Sequence, residues 1–164
     1  MKYRGVKCEL VEDNSVIFSV NGKPLHDMLT KKLEEMGRTN RKLFYVSGET
    51  GVDDRENIRA ITEGESDAII VASVGTFSTG INIKRLNNII FASPSKSQVR
   101  VLQSIGRGLR KGDDKTSCRL FDIGDDLSWK SRKNYTLLHM IERIKLYNEE
   151  GFKYKLVRIS TDGN

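Results

Sequence analysis

The sequence predicts an α/β domain built on a mostly parallel β-sheet. Short, almost continuously apolar runs alternate along the 164 residues with longer segments whose apolar residues recur at helical spacing. Strands that read as continuous apolar runs are typical of a sheet covered by crossover helices on both faces. The two cysteines, Cys8 and Cys118, are too few for a disulfide framework or a four-cysteine zinc site.

The predicted strands are apolar, β-branched runs bounded by turn-forming or polar residues. They cover residues 15–20, 42–47, 67–73, 86–92 and 116–123. A further run, residues 152–160, is expected to add an edge strand.

The segments between these strands predict helices. The first begins at Pro24, which suits an initial helical turn, and ends before Gly37. The others cover residues 53–62, 95–110 and 134–149. We expect residues 1–124 to form the main domain, and residues 125–164 to extend it with a helix and an edge strand.

The charge is uneven along the chain, which carries a formal net charge of +6. All of the positive excess lies in the second half, and residues 95–119 hold seven basic and two acidic side chains. Such clustering suggests a polyanionic partner, although an ordinary solvated basic surface would give the same pattern. No apolar run approaches the ~20 residues needed to cross a bilayer. No export signal is recognisable at the N-terminus, so a cytoplasmic location and no membrane partner are expected.

The third predicted helix, residues 95–110, carries a polar stripe. At about 100° per residue, Gln103, Arg107 and Arg110 project from one side of the helix, with Gly106 beside them. Arginine stays charged and offers forked donors, so this stripe could stabilise the charge that develops on a transferring γ-phosphate. The alternative is an amphipathic helix with an ordinary basic face.

A loop rich in small hydroxyl residues follows the strand predicted at residues 67–73. It contains Ser73, Thr76, Ser78 and Thr79, with Gly75 and Gly80. Loops at the carboxyl ends of strands are where open α/β sheets bind ligands, and this one could hold a nucleic-acid phosphate. The alternative is a plain connecting turn.

Together these segments resemble the second RecA-like domain of superfamily 2 helicases. Gln103, Gly106, Arg107 and Arg110 match that family's motif VI, Gln-x-x-Gly-Arg-x-x-Arg, and Gly80-Ile81-Asn82 matches the centre of motif V. Val46-Ser47-Gly48, with Arg55 seven residues later, matches the element between motifs IV and V. Residues 45–49, 71–83 and 102–111 are most similar to the UvsW-type recombination helicases of bacteriophages. The resemblance covers residues 15–124 and implies a RecA-like three-layer sandwich with a C-terminal helical appendage.

The resemblance also implies roles for individual residues. Arg107 and Arg110 would be arginine fingers that reach ATP, and Gln103, Gly106, Gly80 and Asn82 would belong to the nucleotide-facing network. Asn82 stands where many relatives have Asp, which leaves a charge-dependent role there open. The track of the nucleic-acid backbone would be lined by Ser19, Gly48, Thr76 and Ser78. Arg55 would hold the loop after Gly48 in place; the alternative is a surface residue engaged in a salt bridge.

Half of an ATPase site is missing from the sequence. There is no Gly-x-x-x-x-Gly-Lys-Ser/Thr phosphate loop and no Asp-Glu-x-His box. We therefore expect ATP and Mg²⁺ to be held mainly by an N-terminal RecA-like domain, and we expect no ATP turnover by this chain alone. The leading interpretation is the C-terminal motor domain of an ATP-dependent DNA helicase or translocase acting on branched or recombining DNA. The alternatives are a non-catalytic nucleic-acid-binding adaptor with the same fold, or the motor part of a restriction enzyme subunit.

Overall fold

The centre of the molecule is a five-stranded sheet in which all strands run parallel. The computed structural model describes residues 2–3, 6–7, 13–19, 22–73, 76, 83, 86–92, 118–126 and 134–159. Within these residues a short antiparallel pair, β1 (Lys2–Tyr3) and β2 (Val6–Lys7), precedes the main sheet. The strands of the main sheet are β3 (Ser15–Phe18), β4 (Leu43–Val46), β5 (Ile69–Ala72), β6 (Asn88–Phe91) and β7 (Arg119–Asp122), in the order β4-β5-β3-β6-β7. Each lies inside a predicted run, and the predicted parallel sheet is confirmed.

Three helices are described: α1 (Gly22–Glu35), α2 (Val52–Gly64) and α3 (Tyr135–Glu149). They coincide with three of the four predicted helices, and the remaining one, at residues 95–110, lies outside the described residues. None of the described helices is long and apolar enough to span a membrane. Helix α1 packs against β4 and β5, and it begins at Gly22, where an added Cβ would lie 2.7 Å from the ring of Tyr45. The close approach of α1 to β4 therefore requires glycine at this position.

The core lies on both faces of the central strands. Most residues of β3, β5 and β6 are buried, and Phe18, Ile70 and Phe91 are completely buried. The rings of Phe18 and Phe91, on neighbouring strands, have centroids 5.7 Å apart. Cys118, in the strand predicted at residues 116–123, packs against this core, and its burial raises the pKa of its thiol to about 11.

Asn14, just before β3, ties the central strand to the connection between α2 and β5. Its side-chain nitrogen donates to the carbonyls of Thr62 and Glu65 at 3.0 and 2.9 Å. Its side-chain oxygen accepts from the backbone N–H of Ala68 at 2.8 Å, and the residue is 1% exposed. Three buried backbone groups therefore depend on one amide side chain.

The substitution Asn14→Ala is expected to lower the free energy of unfolding by about 3 kcal/mol, because it leaves these backbone groups unsatisfied in the interior. Urea denaturation followed by circular dichroism measures the change. Asn40→Ala is the matched control, since Asn40 is exposed and should shift stability by less than about 0.5 kcal/mol. Equal midpoints for the two variants would contradict the role assigned to Asn14.

Two sequence predictions about packing are wrong. Residues 152–159 form no strand in the structure, and Leu156, Val157 and Ile159 are exposed, so apolar alternation there does not reflect pairing in a sheet. On α2, the helical spacing of Ile58 and Ile61 predicts that both face inward, but Ile61 is 43% exposed and the neighbouring Thr62 is buried instead. Thr62 can be buried because its hydroxyl donates to the carbonyl of Ile58 at 2.7 Å. The domain limits at residues 124 and 125 stay a prediction.

Candidate nucleic-acid interface

Three serines stand in a row at the carboxyl edge of the sheet. Phe18, Ala72 and Val46, the last residues of β3, β5 and β4, lie side by side in the parallel register. The next residue on each strand is a serine: Ser19, Ser73 and Ser47. The backbone N–H groups of Ser73 and Ser19 donate to Val46 and Ala72 at 3.2 and 3.1 Å, which continues the ladder by one residue. The three loops that leave this row therefore start at one level, side by side.

The loop after β4 is a tight turn with an exposed glycine. The backbone N–H of Thr50 donates to the carbonyl of Ser47 at 3.2 Å, and the N–H of Ser47 donates to the Thr50 hydroxyl at 3.0 Å. Gly48 is exposed, and an added Cβ there would meet no atom within 4 Å. The turn thus offers an open stretch of backbone that a phosphate or sugar could approach closely.

Arg55, near the start of α2, is hydrogen-bonded to this loop. Its Nη2 donates to the carbonyls of Ser47 and Gly48 at 3.3 and 3.1 Å. This contact confirms the prediction that Arg55 secures the loop after Gly48. Arg59, one turn later, is instead engaged by Glu56 and Glu63 on the outer face of α2. Hydrogen bonding by Arg59 holds the pKa of Glu56 below its ordinary value.

We expect Arg55→Ala to raise the hydrogen-exchange rates of the backbone amides of residues 48–51 about tenfold, because two bonds to loop carbonyls are lost. Arg59→Ala removes the same charge from the same helix without touching the loop, and it should leave those rates unchanged. Exchange followed by NMR or mass spectrometry makes the comparison. Identical rates in both variants would show that Arg55 does not order the loop.

The residues predicted to line a nucleic-acid track differ in exposure. Ser19 and Thr76 are 5% and 2% exposed, and the Thr76 hydroxyl is hydrogen-bonded to the hydroxyl of Ser73. Among the described candidates, only Gly48 is exposed. Ser19, Gly48 and Thr76 nevertheless follow three adjacent strands at one sheet edge, as expected. The other predicted site residues, Ser78, Gly80, Asn82, Gln103, Gly106, Arg107 and Arg110, lie outside the described residues.

The sequence did not predict a buried charged cluster at the end of β7. Asp122 accepts from Nε and Nη2 of Arg143 at 2.8 and 2.7 Å, and from the hydroxyl of Tyr147 at 2.6 Å. Burial, assisted by the Asp122 carboxylate, raises the pKa of Tyr147 above its ordinary value, so the phenol stays protonated and donates. The cluster fixes α3 to the same sheet edge, because Asp122 lies level with Phe91 and therefore with Phe18. The one feature of the sequence that could have indicated this cluster is Arg143, which stands among the apolar positions of the helix predicted at residues 134–149.

Comparisons with known proteins agree with this fold. The model of a family described as the helicase conserved C-terminal domain matches residues 2–112. The chain is 35% identical over 150 residues to the ATP-dependent DNA helicase UvsW of Enterobacteria phage T4, which covers 85% of this chain and 28% of that protein. The chain therefore spans less than a third of that relative's length.

Solved structures give the same result. The crystal structure of T4 UvsW matches with a TM-score of 0.69 and 35% identity, over 91% of this chain and 31% of that one. A crystal structure of the C-terminal part of the Fun30 ATPase domain matches with a TM-score of 0.54 over 84% of this chain and 48% of that one. Its 17% identity makes it a likeness of fold alone.

Proposed function

Because the chain belongs to the helicase conserved C-terminal domain family, we propose that it is the second motor domain of an ATP-dependent DNA helicase or translocase. The observation that carries the proposal is the pattern Gln103-x-x-Gly106-Arg107-x-x-Arg110, which falls within the residues that the family model matches. A domain that only bound nucleic acid would not need two guanidinium groups and an amide on one helical stripe.

In this proposal Arg107 and Arg110 contact the γ-phosphate of ATP and stabilise the negative charge that develops as the phosphoryl group is transferred. Gln103 and Gly106 lie against the nucleotide, and Gly80 and Asn82 lie near its ribose. The phosphate loop and the ligands of Mg²⁺ belong to a separate N-terminal RecA-like domain, since neither sequence motif occurs in these 164 residues. ATP then binds between the two domains, and its hydrolysis lets the cleft open.

DNA lies along the carboxyl edge of the sheet in this proposal, across the loops that follow β3, β4 and β5. The exposed backbone at Gly48, supported by Arg55, takes a phosphate. Ser19, Thr76 and Ser78 shape or line the neighbouring part of the track. Contacts of this kind read no base sequence, so binding should depend strongly on salt and weakly on sequence. Similarity to a phage DNA helicase supports DNA as the substrate, and the resemblance of residues 45–49, 71–83 and 102–111 to recombination helicases favours branched or recombining DNA.

The direct test joins the chain to an N-terminal RecA-like domain that carries the phosphate loop. The joined protein is expected to hydrolyse ATP, with turnover stimulated by DNA, whereas either half alone should give no turnover above background. A coupled assay for released phosphate, with single-stranded, duplex and forked DNA, measures both. A joined protein that folds and binds DNA but hydrolyses no ATP would instead favour the non-catalytic adaptor.

A further inference from the structure

A basic and aromatic segment without acidic residues follows α3. This segment, residues 152–159, is called here the tail segment. It carries Phe152, Lys153, Tyr154, Lys155 and Arg158 and no Asp or Glu. All eight of its residues are exposed. In the described part of the chain, no acidic side chain forms an ion pair with its three cations.

The end of α3 fixes where the tail segment starts. Gly151, with φ of 70°, reverses the chain, and the N–H of Phe152 donates back to the carbonyl of Tyr147 at 2.8 Å. The rings of Phe152 and Tyr154 then lie 6.4 and 6.2 Å, centroid to centroid, from the ring of Tyr147. Residues two apart that face one ring have the spacing of an extended backbone.

Tyr147 connects the tail segment to the carboxyl edge of the sheet. Its hydroxyl donates to Asp122, the last residue of β7, and Asp122 stands level with the ends of β6 and β3. The tail segment therefore begins beside β7, on the edge where β4, β5 and β3 present their loops. A strand of nucleic acid that crosses those loops and continues past the end of β6 would reach it.

The exposed groups of the tail segment match the chemistry of single-stranded nucleic acid. Phe152 is 39% and Tyr154 is 46% exposed, which leaves ring surface available for stacking against bases. The phosphates can be neutralised by Lys153, Lys155 and Arg158. Packing three cations without acidic partners against a protein surface would be unfavourable at most surfaces. A protein partner that adds a strand would be favoured by the exposed Leu156, Val157 and Ile159. The charge and the paired rings decide in favour of nucleic acid.

We propose that the tail segment binds single-stranded nucleic acid and extends the track beyond β7, by stacking bases on Tyr154 and Phe152 and by holding phosphates with its three cations. This inference rests on the proposed function, because it assumes that a strand already crosses the carboxyl edge. It adds a contact surface outside residues 2–112, the part that the family model matches.

The test uses the whole 164-residue chain and a fluorescein-labelled 20-mer of thymidine, with binding followed by anisotropy over a range of salt concentrations. Tyr154→Ala should weaken binding roughly tenfold, and Tyr154→Phe, which keeps the ring, should bind as the wild type does. The triple variant Lys153→Gln/Lys155→Gln/Arg158→Gln should make the negative slope of log K against log salt shallower by about 2, as three lost phosphate contacts require.

A matched control removes three cations elsewhere. The triple variant Lys31→Gln/Lys42→Gln/Arg119→Gln has the same net charge, and its positions are exposed on α1 and at the amino ends of β4 and β7. It should keep the wild-type affinity and salt slope. Thermal unfolding of every variant checks that the fold is intact.

Wild-type affinity and salt slope in the tail variants would overturn the inference. So would a self-association, seen by analytical ultracentrifugation, that Leu156→Asp abolishes while DNA binding is unchanged, since the tail segment would then pair with a second copy. Either result leaves the proposed motor function standing, because the ATP hydrolysis of the joined protein tests that function independently.

Discussion

Replacing Arg107 or Arg110 by alanine in the joined two-domain protein is expected to lower DNA-stimulated ATP turnover about a thousandfold or more. An arginine that contacts the transferring phosphoryl group stabilises charge which exists mainly in the transition state, so its loss falls on kcat more than on KM. Lysine restores the charge but not the forked donors, so Arg107→Lys and Arg110→Lys should recover only a small part of the rate. Steady-state hydrolysis at saturating DNA measures all four variants.

Arg119→Ala is the control for these arginines. Arg119 is exposed at the amino end of β7, on the sheet edge opposite the proposed cleft, and its removal should leave turnover unchanged. The affinity for DNA should also stay within about threefold of the wild type in Arg107→Ala and Arg110→Ala, since neither side chain is assigned to the backbone track. Normal hydrolysis by both alanine variants would refute the finger assignment. Lost DNA binding with normal hydrolysis would move these arginines to the track.

The second large effect is a loss of folding stability when Asp122 is replaced. The substitution Asp122→Ala removes the partner of the Arg143 guanidinium, which is 1% exposed and donates two hydrogen bonds to Asp122. In the described residues it donates to no other acidic side chain. Leaving a buried charge without its counterion costs about 3 to 5 kcal/mol of the free energy of unfolding. For a chain of this length, that corresponds to a fall of about 6 to 20 °C in the unfolding midpoint.

Differential scanning calorimetry measures the change, with Asp27→Ala as the control. Asp27 pairs with Lys23 on the exposed face of α1, where hydrogen bonding by Lys23 and then His26 holds the pKa of its carboxyl below the ordinary value. Solvent screens that pair, so its loss should leave the midpoint unchanged. The double variant Asp122→Leu/Arg143→Met should be more stable than Asp122→Ala, because it removes the stranded charge as well. A single variant as stable as the double one would argue against the ion pair.

The sheet could be predicted from the sequence because its central strands are buried on both faces. Residues 69–72 are all buried, and continuous burial selects the apolar, β-branched composition that marks them as a strand. The carboxyl ends of α1 and α3 could also be predicted, because Gly37 and Gly151 follow them in the sequence. Both glycines adopt positive φ where the chain leaves these helices.

The features that the sequence did not predict correctly depend on contacts between residues distant in sequence. Whether residues 152–159 pair with another strand depends on what lies beside them, and the alternation of apolar residues carries no such information. The burial of Arg143 likewise follows from Asp122, which lies on a different element. At the candidate site, Arg55 was assigned correctly because its partners, Ser47 and Gly48, are only seven or eight residues away.

The position of β3 has a consequence for synthesis on the ribosome. This strand comes first in the main sheet but sits at its centre, and its partners Ile69 and Asn88 are made much later. Until those residues leave the exit tunnel, the apolar side chains of β3 have no neighbouring strand to cover them. Pauses in translation before residue 88 has left the exit tunnel should therefore expose nascent chains to chaperones, whereas pauses after residue 122 has left it should allow the sheet to close.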